Sequence, residues 1–457
     1  MAPAFLPVKR FFENSPLNAM APQISPARTL CYQLLFDIGS GRTRSDDALN
    51  SDKIQDLDVR DRHLSTEIVY GTLRWQGLLD YVLAAASTRP WPKVAEGIKI
   101  LLRMSLYQMW KMDRIPEYAL VNDAVEIARR ELGKGIEGYI NGILRRLTRD
   151  HLWEKDECMR RAPRWDQVSL PEWLYKRWAA RYGEDVAEDF ALSLNKAPQA
   201  AMRIFGDYAT GEVFPFAAVK SDLVPDAFIR ADDVKIPSRE GIGPAAFHFQ
   251  DEASQLIPHL LHPMPGWKIW DACAAPGGKT AILGKICCNS RYIVASDLRY
   301  ERVARLAQIL KDSGIRAPQI LVADARQQPP FVDCFDAVLA DAPCSGLGTV
   351  RRNPEIKWRF RKREFAELQA NQTKILHSVS GAVRLGGWLL YSTCSTEPEE
   401  NEQVIREFLN THPGFCLQKP IHPPGIEKWV GQDSMVRTYP GNRLWDGFFA
   451  ALMLRRS

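Results

Sequence analysis

From about Phe247 to Ser457, short apolar runs that end in an acid or break into a loop alternate with amphipathic helices. A chain with that alternation has little choice but a doubly wound, mostly parallel sheet covered on both faces by helices. The runs are YIVASD (292–297), ILVADA (320–325), AVLADAPCSG (337–346) and WLLYSTCS (388–395), and WKIWDACAAPGGKTAILGKI (267–286) reads as strand, glycine loop, helix. The longest helical stripe carries Phe365, Leu368, Ile375, Leu376, Val379 and Val383, and Gly386–Gly387 are expected to end that helix.

The rest of the chain has a different texture. Residues 1–25 read as a mobile tail. Residues 26–150 are helical throughout, with Val94, Ile98, Leu101, Leu102 and Met109 on one face, and predict an all-α bundle. Residues 151–165 are polar, mixed in charge and contain Pro163, which suits a linker. Within 166–245, LPEWLYKRWAARYG (170–183) predicts a helix and AAMRIF (200–205) a strand, so this part is expected to be a small α/β unit. Residues 246–457 form the doubly wound part.

Loops at the carboxyl ends of parallel strands converge on one crevice. Cys344 and Cys394 each lie just past a strand run, about fifty residues apart, and Asp341 ends the first of those runs. Two thiols and a carboxylate can therefore face one substrate. A thiolate is a soft nucleophile suited to conjugate addition, and a second thiol or the carboxylate can move protons.

The loop at 273–279 selects the cofactor class. Gly277 and Gly278 permit close approach of a ligand to the backbone at a helix start. Gly278-Lys279-Thr280 matches the end of a phosphate loop, but the first glycine of that motif is Cys273 here, and no G-x-G-x-x-G occurs. Asp271, Asp297 and Asp324 close three consecutive strands, and an acid so placed accepts ribose hydroxyls. Such acids suit a nucleoside without phosphates, and S-adenosylmethionine fits. Each acid also suits a helix cap. Lys279 reads equally as a solvated first-turn lysine.

DACAAPGGKT, SDLR, DAPCSG with RRNPEIKW, and STCS, in this order and spacing, resemble the motif series of the Nol/Nop/Sun family of RNA cytosine-C5 methyltransferases. FQDEASQL (249–256) and DGFFAALMLRR (446–456) resemble its flanking segments, while Ala272 replaces a more usual Leu. The resemblance implies a Rossmann-like class I methyltransferase domain in which Cys394 is the nucleophile at C6. Cys344 then assists removal of the C5 proton, and Asp341 binds the cytosine N3 edge. It further implies that Cys273, Ala274, Ala275, Pro276, Gly277, Gly278, Lys279 and Asp341 surround S-adenosylmethionine, with Asp297 on the ribose and Asp324 on the adenine. ARTLCYQLLFDI (27–38), LDVRDRHLSTEIVYGTLRW (57–75), PEYALVNDAVEIAR (116–129) and YINGILRRL (139–147) look like a NusB-type RNA-binding domain. That combination is typical of the RsmB type, which modifies small-subunit (16S) ribosomal RNA. tRNA or another RNA is the alternative substrate, and a non-catalytic RNA-binding or assembly role is a further one. A DNA cytosine-C5 methyltransferase would use the Cys after Pro343 instead, and would have no need of Cys394.

Composition is compatible with such an enzyme. The chain has 457 residues, 46% hydrophobic and 25% charged, with a formal charge of +5, too modest to establish nucleic-acid binding by itself. Seven basic residues fall between Arg351 and Arg363 with Trp358 and Phe360 among them, and they are expected to hold phosphates while a ring stacks on a base. Nine cysteines without framework spacing point to a reducing, cytoplasmic setting. Neither a membrane span nor a signal peptide is expected. No zinc spacing occurs, so no metal is expected. Cys287 and Cys288 read as packing residues, and the chain is expected to be monomeric.

Overall fold

The computed structural model describes residues 25–112, 115–153, 160–205, 217–231, 247–288, 290–315, 318–439 and 445–457. The expected N-terminal tail lies outside these residues, apart from its last position, as does the middle of the expected linker.

The N-terminal part is a helical bundle: α1 (Pro26–Gly39), α2 (Val59–Arg74), α3 (Gln76–Ala86), α4 (Glu96–Lys111), α5 (Glu117–Glu131) and α6 (Ile136–Asp150). Local signals set its boundaries. Pro26 opens α1, and the Asp58 carboxylate accepts from the Asp61 N–H at 2.8 Å to start α2. Helix α4 runs through the centre, burying Ile98, Leu101, Leu102 and Met104. Its one deep cation, Arg103, is matched by Asp80 at 2.6 and 2.8 Å and by Glu96 at 2.6 Å. Where α2 crosses α4, Gly71 is obligatory, because a Cβ there would lie 1.8 Å from the Tyr107 ring.

Helices α7 (Glu172–Tyr182) and α8 (Glu184–Leu194) follow, packed around Trp178. A small antiparallel sheet comes next, in the order β2-β3-β1-β4: β1 (Ala201–Ile204), β2 (Ala218–Lys220), β3 (Ala227–Arg230) and β4 (Phe247–Phe249). Its last strand therefore comes from beyond residue 245. Helices α7 and α8 pack on Leu347, Val350 and Phe365 of the C-terminal part.

That part opens with α9 (Glu252–His259), capped by Asp251, and continues through β5 (Ile269–Asp271), α10 (Gly278–Ile286), β6 (Ile293–Asp297), α11 (Tyr300–Asp312), β7 (Gln319–Val322) and β8 (Phe335–Asp341). It ends with α12 (Ile356–Arg359), α13 (Glu364–Ser380), β9 (Val383–Thr393), α14 (Glu402–Thr411), β10 (Phe415–Gln418), β11 (Val436–Arg437) and β12 (Phe449–Arg455). The sheet order is β10-β12-β9-β8-β5-β6-β7, with β11 beside β12. Pairing is parallel from β9 to β7 and antiparallel at β12 and β10. The chain builds β5-β6-β7 outward on one side and then returns to place β8 and β9 on the other. The crevice consequently opens between β5 and β8, where Asp271 and Asp341 end their strands. Among the described residues no helix is long and apolar enough to cross a membrane.

Three expectations need correction. Helix α13 stops at Ser380, and Val383 already lies in β9, fully buried. Gly386–Gly387 sit inside that strand rather than ending a helix. Phe335 pairs with Val383 but Ala337 with Trp388, so the extra residues bulge out, and Gly386 supplies the left-handed turn at φ +74°. Second, the helix after the glycine loop ends at Ile286, leaving Cys287 buried but Cys288 exposed at φ +54°.

The third correction concerns the basic stretch from 351 to 363, much of which is a seam rather than a phosphate-binding face. Arg351 is fully buried and donates to the Ser193 carbonyl at 3.2 Å. Arg352 bridges Asp251 at 2.7 Å and Asp446 at 2.8 Å. Buried Lys357 donates to the Arg74 carbonyl and to Asn195 Oδ1, both at 2.9 Å, and the Trp358 indole N–H donates to the Leu73 carbonyl at 2.7 Å. Glu355 accepts from the Ser45 N–H at 3.1 Å and its hydroxyl at 2.7 Å. These groups dock the helical bundle on the segment just after the Cys344 loop. Burial, reinforced by Arg74, pushes the Lys357 ammonium well below its usual range. Arg359, Arg361, Lys362 and Arg363 remain exposed.

Candidate active site

Strands β8 and β9 lie side by side with Asp341 opposite Ser392, and each exits into its cysteine loop a few residues later. This parallel register brings two thiols fifty residues apart to an Sγ–Sγ distance of 3.2 Å. The loops are locked to each other. The Ala342 N–H donates to the Ser392 carbonyl at 2.9 Å, and the Gly348 N–H to the Cys394 carbonyl at 3.0 Å. Gly348 admits no side chain, since a Cβ would lie 2.0 Å from the Gly447 carbonyl oxygen. The hydrogen bond to Cys394, together with burial and the nearby Glu400 carboxylate, holds the Cys344 thiol well above its ordinary range, so Cys344 keeps its proton.

Asp341 accepts from Lys279 at 2.7 Å on one oxygen and from the Ser392 hydroxyl at 2.6 Å on the other. Burial opposes the Lys279 charge, but Asp341 outweighs it and keeps the ammonium protonated, within electrostatic reach of Cys394. Lys279 is thus neither solvated nor free to hold a phosphate.

Beside this pair runs a cleft of ≈ 160 Å³ lined by Asp271, Cys273 to Pro276, Gly278, Lys279 and Asp341, together with Gln250 and Ile309. Asp271 is buried, and its Oδ2 accepts from the Thr280 hydroxyl at 2.6 Å while Oδ1 has no partner. Burial pushes the Asp271 carboxyl up to about 7. Burial likewise raises the Cys273 thiol, which reads as a wall rather than a nucleophile. Asp297 lies behind the loop, accepting from the Ala275 N–H at 3.3 Å and pairing with Arg302 at 3.2 Å. Asp324 lies outside the cleft wall. Its carboxylate is engaged by Arg326 at 2.8 and 2.9 Å, and this contact holds it below the usual carboxylate range. A larger groove of ≈ 900 Å³ between α13, β10 and residues 326–332 contains neither thiol and none of these acids apart from the neighbourhood of Arg326.

An open carboxylate oxygen, further acids and no available lysine suit a ligand with amine and hydroxyl donors, as S-adenosylmethionine has, and disfavour a triphosphate.

Several contributors escaped sequence reasoning. Ser392, Gln372 and Glu400 hold the thiol loops in place. Gln250 and Ser254 line the cleft. Polar Ser392 and Thr393 inside an apolar strand, and the acids that follow STCS, were the available signals.

Residues 258–454 match the family model described as 16S rRNA methyltransferase RsmB/F, and residues 25–149 match the NusB family. A Bacillus subtilis (strain 168) protein named probable ribosomal RNA small subunit methyltransferase B is 33% identical over 419 residues, covering 88% of this chain and 93% of that protein. Ribosomal RNA small subunit methyltransferase B of Pseudomonas syringae pv. tomato is 30% identical over 450 residues, 95% of this chain and 97% of the relative. Among solved structures, that of PH0851 superposes with a TM-score of 0.77 at 28% identity, covering 94% of this chain and 99% of the other. NSun6 from Pyrococcus horikoshii with SFG shares the fold at a TM-score of 0.53 and 18% identity, over 64% of this chain and 99% of that one.

A Rossmann-like sheet with a carboxylate-lined cleft at its switch point, behind a helical NusB-like region, is an S-adenosylmethionine-dependent methyltransferase. Within that class, the chain belongs to the 16S rRNA methyltransferase RsmB/F family.

Proposed function

We propose that this chain methylates C5 of a cytosine in small-subunit ribosomal RNA through a covalent bond between Cys394 and C6. The observation that carries the reading is the pair of thiols 3.2 Å apart beside the Asp341–Lys279 pair. C5 of cytosine is a poor nucleophile until a thiolate adds at C6. Cys394, near the Lys279 ammonium, supplies that thiolate. Cys273 to Lys279, with Asp271 and Asp297, hold S-adenosylmethionine, which supplies the electrophilic methyl group. Addition of Cys394 moves the C5–C6 π electrons to C5, where the new C–C bond forms. Asp341 and its partner Lys279 face the N3 edge and balance charge there. Release requires loss of the C5 proton, whereupon the electron pair restores the double bond and expels Cys394 as thiolate. Cys344, the protonated neighbour, is placed to pass its own proton to the expelled Cys394 thiolate as it takes the C5 proton.

The same reading assigns residues 26–150 to RNA binding, with Arg359, Arg361, Lys362 and Arg363 as exposed cations in the segment that follows the Cys344 loop. A paired cytosine hides C5 and C6 in the stack, so the target is unpaired or flipped out.

The test is transfer of labelled methyl to unmodified small-subunit ribosomal RNA by wild type, Cys394→Ala and Cys344→Ala, with denaturing gels for adducts. Labelling of C5 by wild type, an inert Cys394→Ala and accumulated adduct in Cys344→Ala are expected. Adduct formation by Cys394→Ala but not by Cys344→Ala would shift the nucleophile to Cys344 and overturn the assignment.

A further inference from the structure

Glu400 is fully buried, yet it belongs to no part of the mechanism above. Its Oε1 accepts from the Ser345 N–H at 2.7 Å and from the Gln372 side-chain amide at 3.1 Å. Its Oε2 accepts from the Ser345 hydroxyl at 2.6 Å and from the Ser395 hydroxyl. Ser345 and Ser395 are the residues that immediately follow Cys344 and Cys394. One carboxylate therefore spans both thiol loops, one residue downstream of each nucleophile candidate.

The frame extends around it. The Gln372 amide also donates to the Pro343 carbonyl at 2.9 Å, fixing the residue before Cys344. The Tyr391 hydroxyl donates to the Glu400 carbonyl at 2.6 Å, tying the acid back to β9. Next to it, Asn401 accepts from the Thr393 hydroxyl at 2.6 Å and donates to the Ser395 carbonyl at 2.9 Å. The residues on both sides of each cysteine are thus held by a polar network centred on a single acid. A buried carboxylate is costly in a fold unless its lone pairs are filled, and here four donors fill them. A core built for stability alone would place an apolar residue at this position.

We propose that Glu400 is the positioning residue of the active site, fixing the separation of the Cys344 and Cys394 sulfurs by holding Ser345 and Ser395 in one frame. The proposal rests on the two-thiol reading of the site. Glu400 touches neither sulfur and acts through the two serines.

The experiment compares wild type with Glu400→Gln, Glu400→Ala and Ser395→Ala in two assays. One is single-turnover methyl transfer to small-subunit ribosomal RNA at saturating S-adenosylmethionine. The other is the rate at which diamide joins Cys344 and Cys394 in the free protein, taking two electrons and two protons from the thiol pair and becoming the hydrazine. Cys288→Ser is present throughout, because Cys288 is the exposed thiol among the described residues and would otherwise react.

Glu400→Gln keeps the shape and can satisfy the serines with its amide, so it is expected to stay within about threefold of wild type in both assays. Glu400→Ala is expected to lose about 10²-fold in transfer and to slow disulfide formation in parallel, with S-adenosylmethionine affinity unchanged, as a shift of about 1 Å in a reacting group implies. Ser395→Ala, the mildest change, is expected to give about a tenfold loss with the same parallel, so the proposal stays testable should Glu400→Ala not fold. Wild-type rates of both reactions in folded Glu400→Ala, or in Ser395→Ala, would overturn it. So would a loss of transfer with an unchanged disulfide rate. If wild type fails to methylate the RNA while the variants still slow disulfide formation, the substrate reading falls and the positioning role stands.

Discussion

The two walls of the crevice are built from the same residue type and finished in opposite ways. On the thiol wall every carboxylate is engaged: Glu400 has four donors, and Asp341 has Lys279 and Ser392. On the cofactor wall a buried acceptor is left open. Asp271 lines the cleft with a bare buried oxygen, while Asp297, behind the loop, and Asp324, outside the cleft wall, are paired with the half-exposed Arg302 and Arg326. The difference matches what the proposed mechanism asks of each wall. Covalent chemistry gains from groups fixed before the substrate arrives, whereas a wall that takes up a ligand has to leave acceptors for the ligand's own donors.

Substitutions on the thiol wall should therefore cost the most. Cys394→Ala is expected to abolish transfer, on the order of 10⁴-fold or more, with no loss of S-adenosylmethionine binding. Single-turnover kinetics and equilibrium dialysis separate the two effects. Residual transfer within tenfold of wild type would mean that the nucleophile is elsewhere. Lys279→Met comes next. It leaves Asp341 with Ser392 as its remaining donor and removes the cation beside Cys394. A loss of about 10²-fold in transfer and about 1–3 kcal/mol in stability is expected. Denaturant unfolding at matched pH checks the second figure, and an unchanged transfer rate would return Lys279 to a purely structural role.

Around the cofactor cleft the effects should be smaller and should appear in binding. Asp324→Ala is expected to weaken S-adenosylmethionine roughly tenfold, as loss of one charged acceptor does. Arg326→Ala should leave affinity equal or raise it by up to about threefold, because the arginine competes with the ligand for Asp324. Calorimetry on both variants decides the point. If Asp324→Ala binds as wild type does, Asp324 is a surface acid neutralised by its neighbour, and the adenine contact lies elsewhere.

How far the sequence could be read depended on how local each signal was. The sheet was legible because acid-ended apolar runs and helical stripes are local patterns. Cys344 and Cys394 were legible as a pair because parallel strands bring their exits together whatever their distance in sequence. Glu400 and Gln372 were not, since nothing within a few residues tells an acid that three of its four donors lie 55 and 28 positions away. The basic stretch at 351–363 misled for the same reason. A lysine that donates to a carbonyl 283 residues upstream looks in sequence like any surface lysine. Gly386–Gly387 misled differently, because a glycine pair after an apolar stripe suits a helix end and a strand bulge alike.

Asp271 gives the gentlest and most discriminating probe of the open wall. In an unfolded chain an aspartate titrates near about 3.9. Burial moves it to about 7 in the fold, so between those values the folded state keeps a proton that the unfolded state has released. Stability from this group is accordingly full below the lower value and is lost as pH rises toward the upper one. Asp271→Asn is neutral at every pH, so wild type should lose about 1 kcal/mol relative to it between about pH 6 and pH 7. Denaturant midpoints at the two pH values measure the difference. A ligand whose ammonium or hydroxyl meets the bare Oδ1 favours the charged carboxylate and pulls the titration back down. Saturating S-adenosylmethionine should then flatten the pH dependence of wild type and leave Asp271→Asn unmoved. Should the slope persist in the bound protein, Asp271 would not be the cofactor's acceptor, and the contrast between an engaged wall and an open one would fail at its clearest residue.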